Sequence, residues 1–172
     1  TDALVLVGGL RYTRENKAFS GNVYQNQNTN DRLIEIDTQS PSLDTVDDNN
    51  DQDLWSAKLQ LEYSIADTLL YAGINRGVKA GSFNAPLLGG FSQYKPEKLT
   101  AYEAGMKHNF MNSRGVLNAS MFYYDYTDYQ SFSWVNNAGV VSNEQATFRG
   151  AELELFLTPS ERVDVMVNVS YT

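Results

Sequence analysis

Cysteine is absent from the 172 residues, so no disulfide and no thiolate metal site is available. Histidine occurs once, as His108. No apolar run approaches the roughly 18 residues that a membrane helix needs. That excludes a helical span but not a membrane. A barrel strand alternates lipid-facing and lumen-facing residues, so its average hydropathy stays low. Basic residues form no patch, which argues against a nucleic-acid partner. No signal peptide opens the chain. It begins at Thr1-Asp2-Ala3, directly before a strand pattern, and ends at Ser170-Tyr171-Thr172 inside another. Both ends are therefore expected to be cuts in a longer protein.

What the chain does have is tyrosine, 11 residues of it, with 8 Phe and 2 Trp. A ring with a polar tip suits a membrane interface. Charge is uneven. Asp31, Glu35, Asp37, Asp44, Asp47, Asp48, Asp51 and Asp53 face one nearby base, Arg32, and this stretch holds nearly all of the net charge of −8.

The hydrophobic period is two. Val163, Val165, Val167, Val169 and Tyr171 alternate with Asp164, Met166, Asn168 and Ser170. Strict alternation marks a strand with one apolar face. Trp55, Ala57, Leu59, Leu61 and Tyr63 alternate in the same way with Ser56, Lys58, Gln60 and Glu62. So do Ala151, Leu153, Leu155 and Leu157 with Glu152, Glu154 and Phe156, and Tyr102, Ala104, Met106 and Phe110 with Glu103, Gly105, Lys107 and Asn109. Leu4, Leu6, Gly8, Leu10 and Tyr12 form a further apolar parity against Val5, Val7, Gly9, Arg11 and Thr13. The stretches 69–80 and 115–132 carry aromatics on both parities, and bulges are expected there.

The pattern predicts about seven strands of roughly 8 to 17 residues. Connections at 64–67, 111–114 and 158–161 are short. Those at 16–52, 81–98 and 133–143 are long. Short turns at one end and long loops at the other is the arrangement of an outer-membrane barrel. The fold class expected is all-β, an antiparallel up-and-down transmembrane barrel segment. A half-buried sheet of a soluble protein gives the same alternation, and that reading stays open on periodicity alone.

Five segments resemble the barrel of TonB-dependent receptors. Leu69-Leu70-Tyr71-Ala72-Gly73-Ile74-Asn75-Arg76-Gly77-Val78-Lys79-Ala80-Gly81-Ser82-Phe83-Asn84 is similar to the family's LYAxxSRGFKAGGFN run. Asn75 stands there for the usual Ser and Val78 for the usual aromatic. Tyr94-Lys95-Pro96-Glu97 with Tyr102-Glu103-Ala104-Gly105-Met106-Lys107 resembles PE…YEVGLK. The stretch from Leu117 to Gln130 resembles LNxxxFYYDYKDxQ, Arg149–Leu155 resembles KGVELEL, and Gly8–Thr13 resembles GLRYT. The five follow the family's order across nearly the whole chain.

The resemblance implies a segment of a 22-stranded, plugged barrel in a Gram-negative outer membrane. It implies uptake of a scarce solute, most readily a ferric siderophore or other iron complex. The implied partners are membrane lipid and lipopolysaccharide, the protein's own N-terminal plug, and the TonB energy-coupling complex acting through that plug. No catalysis and no cofactor are implied. A passive porin and a soluble ligand-binding β-protein are the competing readings.

Candidate sites follow from parity and position. Arg11, Lys58, Glu62, Glu103, Lys107, Glu152 and Glu154 share the inward parity and can contact a plug or simply face water. Arg76, Lys79, Asn84 and Tyr94 lie near the extracellular end. Cations there can meet an anionic solute, or can counter lipopolysaccharide phosphates. Asp47, Asn49 and Asp51 begin like a calcium loop, but Gln52 stands where Gly is needed and Lys58 where the final Glu is needed. The motif fails, and a solvated acidic loop is expected. His108 is expected at the membrane interface near a short turn. The sequons at Asn118 and Asn168 lie within strands and are discounted.

Overall fold

The computed structural model describes residues 3–24, 42–84, 91–135 and 138–172. Nine strands account for nearly all of them. They are β1 (Ala3–Tyr24), β2 (Ser42–Ile65), β3 (Thr68–Lys79), β4 (Ser82–Asn84), β5 (Ser92–Tyr94), β6 (Glu97–Phe110), β7 (Gly115–Val135), β8 (Ala138–Ser160) and β9 (Val163–Tyr171). Seven form one antiparallel sheet in the order β1-β2-β3-β6-β7-β8-β9, and β4 and β5 form a separate small hairpin. Each large strand pairs with its neighbour in sequence, as expected for an up-and-down meander.

Register turns the sequence alternation into two chemically distinct faces. One row of register partners runs Leu6–Leu61–Ala72–Ala104–Met121–Ala151–Tyr171 across all seven strands. Every member is apolar or an interfacial aromatic. A neighbouring row on the opposite face runs Val5–Glu62–Tyr71–Gly105–Ser120–Glu152–Ser170. A slip of one residue in any strand would exchange these faces, so the pattern fixes the register.

The apolar face has nothing packed on it. Leu10 is 79% exposed, Met121 66% and Val169 57%, and among the described residues the only buried hydrophobics are Leu54 and Ala101. A soluble domain buries such a face under a second layer. Among the described residues no second layer covers it, so the sheet is a single-layer wall with one open apolar side.

The short turns are Ala66-Asp67, Met111–Arg114 and Glu161-Arg162. The first and last are tighter than the expected 64–67 and 158–161, because strand pairing continues to Ile65 and to Ser160. At the other end the expected loops are largely strand. Asn16–Tyr24 pairs with Ser42–Asp51, and Ser133–Val135 pairs with Ala138–Val140. With these extensions β1, β2, β7 and β8 are longer than the roughly 9–11 residues that a tilted membrane strand needs. No hydrophobic period announces them in the sequence. The acidic run Asp47–Asp53 therefore lies on a strand and not on a loop. Its side chains alternate between two faces, and among the described residues no group of three or more ligand-type side chains gathers to hold a metal ion. The expected bulge in β7 falls between Tyr126 and Tyr129, with Asp128 at φ 55°. The register of β3 is continuous with both neighbours, so no bulge forms there.

Candidate functional site at the loop end of the sheet

The polar face is built from alternate residues that the tight turns hold in register. Arg11 stands beside Ser56, Lys58 beside Gly9 and Asn75, Glu62 beside Val5 and Tyr71. Glu103, Lys107, Glu152 and Glu154 continue the same face across β6 and β8. All seven residues of the inward set thus share one surface. Several are engaged. The Tyr124 hydroxyl donates to Glu103 Oε1 at 2.6 Å, Gln60 Nε2 donates to Glu62 Oε1 at 2.6 Å, and Asn118 Nδ2 donates to Glu154 Oε2 at 3.2 Å. Towards the loop end this face turns aromatic. Phe122 and Tyr124 lie 4.8 Å apart, and Tyr126 meets Tyr129 and Phe148 edge-on at 5.3 and 5.6 Å.

The β4–β5 hairpin is a strap across the top of this wall. It leaves β3 at Gly81 and returns to β6 at Pro96. Four side chains, one each from β1, β2, β7 and β8, tie its backbone down. Lys17 Nζ donates to Gly81 O at 2.8 Å. Gln52 accepts from Gly81 N at 2.8 Å and donates to Gly81 O at 3.1 Å. Gln130 Nε2 donates to Ala80 O at 2.8 Å. Asn143 Nδ2 donates to Lys95 O at 3.1 Å and its Oδ1 accepts from Lys95 N at 2.7 Å. Gln93 Nε2 donates to Asp48 Oδ2 at 2.6 Å, holding the strap to β2 from its own side. Gly81 is required at its place: a Cβ there would strike the carbonyl oxygen of Tyr94. Beneath the strap, Phe19 of β1 stacks on Phe91 at 5.0 Å and meets Phe83 at 5.7 Å.

The four residues expected at the extracellular rim separate in space. Asn84 is buried, and its amide is spent on the backbone of Val141, donating at 2.8 Å and accepting at 2.9 Å. It anchors the strap. Tyr94 is half-buried in β5, paired with Ser82. Lys79 is exposed on the polar parity beside Glu97. Arg76 lies on the other face, in the row of Leu10, Ala57 and Thr100, with its guanidinium 4.0 Å from the centre of the Trp55 ring. Phe83 and Gln130 lie within the family-like runs and Phe19, Phe91, Gln52 and Asn143 outside them, but no motif indicated that these residues meet. Their contacts join residues far apart in the chain, and only the folded strap brings them together. His108 sits on the apolar parity near the short turn, stacked on Phe110 at 5.9 Å with its Nδ1 2.8 Å from Thr68 Oγ1.

The arrangement offers hydrogen-bonding and stacking surfaces, and it suits reversible binding. The sequence matches the family described as TonB dependent receptor-like, beta-barrel, over residues 1–172. Among solved structures, one titled "Copper transporter OprC" aligns with a TM-score of 0.71 at 20% identity, covering 96% of this chain and 26% of that one. The ferric-catecholate import receptor Fiu from K12 E. coli aligns with a TM-score of 0.61 at 16% identity, covering 97% of this chain and 25% of that one. The chain thus spans about a quarter of the length of these neighbours, and the likeness to them is one of fold. Receptors of this family are transporters of the Gram-negative outer membrane and not enzymes. The match over all 172 residues places this chain in the family of TonB-dependent receptor β-barrels.

Proposed function

We propose that the chain is a wall segment of an energised outer-membrane transporter that takes up a scarce solute, most readily a ferric siderophore or other iron complex. The observation that carries this reading is the pairing of an uncovered apolar face with a polar face that a clamped strap overhangs. The first suits contact with lipid, and the second suits a guarded aqueous path. In this reading the rest of the barrel and an N-terminal plug lie outside the chain. The inward residues Arg11, Lys58, Glu62, Glu103, Lys107, Glu152 and Glu154 face that plug. Solute meets the rim near Lys79, Tyr94 and the Phe19–Phe83–Phe91 trio. The TonB complex then draws on the plug from the periplasm, and solute passes without covalent change. The two neighbours, named as a copper transporter and a ferric-catecholate import receptor, point to metal cargo of different kinds.

The test is uptake of radiolabelled ferric siderophore by cells that carry or lack the full-length gene, with and without a functional TonB complex. Uptake that needs both supports the proposal. Uptake that persists without TonB indicates a passive barrel. Loss of copper uptake and not iron uptake would reassign the cargo.

A further inference from the structure

The polar face is divided by charge. Its cations Arg11, Lys17, Lys58 and Lys79 lie on β1, β2 and β3, and Lys107 lies on β6 towards the short turn. Strands β7 and β9 contain no lysine or arginine. The only cation of β8 is Arg149, which pairs with Tyr123 on the apolar parity. Acids of the polar parity continue through this region. Glu103 of β6 stands beside Phe122, and Glu144 and Glu152 of β8 stand beside Tyr129 and Ser120.

The same region carries the aromatic side chains of the polar face. Phe122 and Tyr124 have ring centres 4.8 Å apart. Tyr126 meets Tyr129 and Phe148 edge-on, and Tyr129 lies 6.4 Å from Phe148. Phe122 covers Gly150, where a Cβ would lie 2.7 Å from its ring. Four of the five rings are half-buried and Phe148 is exposed, so they form a shelf and not a closed core. Carboxylates border it. Glu103 Oε1 accepts from the Tyr124 hydroxyl at 2.6 Å, and Glu144 is exposed at the edge of the Tyr126–Tyr129–Phe148 group. An ammonium group already reaches this end of the wall: Lys95 Nζ of the strap lies 3.9 Å from Asp128 Oδ1.

An aromatic face is the negative pole of the ring's quadrupole and attracts a cation, more strongly where water is thinned. Carboxylates of the same wall add to that attraction. An anion at the same place meets ring faces and carboxylates that both repel it.

We propose that the shelf of Phe122, Tyr124, Tyr126, Tyr129 and Phe148, bordered by Glu103 and Glu144, receives an ammonium group of the solute. The receptor then selects an ammonium-bearing complex over a neutral or multiply anionic one. This rests on the transporter reading above and narrows its cargo. Among ferric complexes it favours a tris-hydroxamate, neutral at the metal, that carries a protonated amine. It disfavours a multiply anionic tris-catecholate.

The test uses the full-length receptor in nonionic detergent and isothermal titration with three ferric complexes. They are a linear tris-hydroxamate with a free terminal ammonium, the same complex with that amine acetylated, and a tris-catecholate. The ammonium form should bind about tenfold more tightly than its acetylated twin. The variant E103Q/E144Q should lose that preference while binding the acetylated form as the unaltered receptor does. A merely structural role would weaken both. Y126F/Y129F keeps the rings and should keep the preference. Equal binding of the ammonium and acetylated forms by the unaltered receptor would overturn the proposal, even if the variants failed to fold. Tighter binding of the tris-catecholate, or no binding of the ammonium form, would overturn it as well. Retention of the preference by E103Q/E144Q would overturn the site. TonB-dependent uptake of ferric complexes by cells tests the transporter reading separately, since uptake persists there if only the ammonium preference is wrong.

Discussion

Asn84 and Val141 are 57 residues apart, yet the side-chain amide of one completes the backbone pairing of the other. Asn84 Nδ2 donates to Val141 O at 2.8 Å while Asn84 Oδ1 accepts from Val141 N at 2.9 Å. The amide thus acts as one more rung of a sheet ladder, and it fastens the β4–β5 strap to β8. Asn84→Ala leaves a partly buried donor and acceptor unpaired, at a cost of about 1–3 kcal/mol. That cost should fall on the strap alone. Hydrogen exchange on the full-length receptor should quicken at 82–84, 92–94 and 141, while β3 and β6 keep their protection. Unchanged exchange in the strap would mean the amide pair does not hold it.

Gly105 tests the packing of the polar face. A Cβ there would lie 2.6 Å from the carbonyl oxygen of Ala119 and 2.6 Å from the Tyr71 hydroxyl. The ring of Tyr71 covers the gap that the glycine leaves. Gly105→Ala should destabilise the full-length barrel by about 1–3 kcal/mol, the usual cost of overpacking. Tyr71→Ala should relieve only part of that, because the backbone oxygen cannot move aside. Denaturant unfolding of the two single variants and the double variant measures this. Full rescue by Tyr71→Ala would show that only the ring was in the way.

The turn Met111–Arg114 carries three successive residues with left-handed backbone, Met111 at φ 54°, Asn112 at 55° and Ser113 at 65°. Asn tolerates that region, but Met gains nothing from it. Met111→Gly should stabilise the barrel by about 0.5–1 kcal/mol, the left-handed penalty less the entropy that Gly adds to the unfolded chain. A loss of stability would show that the Met111 side chain makes contacts worth more than the strain.

The wall was largely legible in the sequence, and the reason is physical. Within the membrane each face meets one solvent, so Val163–Tyr171 and Trp55–Tyr63 alternate cleanly and their parity predicts the faces. In the outer-membrane reading, both faces meet water above the membrane. Asn16–Tyr24 and Ser42–Gln52 then lose their period and read as loop, although they pair throughout. The rim fared worst. Arg76 and Lys79 look alike as neighbouring cations, yet three positions along a strand reverses the face. The parity of Leu70, Ala72 and Ile74 already carried that information. The clamping by Asn84, Gln52, Gln130 and Asn143 was beyond reach, because each amide bonds backbone far away in the chain.

The central claim is that the two parities of these strands meet different solvents. Val167 pairs with Leu155 on the apolar face, and Asn168 pairs with Glu154 on the polar one. The most direct measurement is the unfolding free energy of the complete receptor in lipid with a single Arg at each position. Val167→Arg should cost roughly 2–4 kcal/mol, as expected for an arginine near the bilayer midplane. Asn168→Arg, one residue along, should cost much less. Equal tolerance of Arg at both positions would contradict the account, because the alternation would then mark no lipid face.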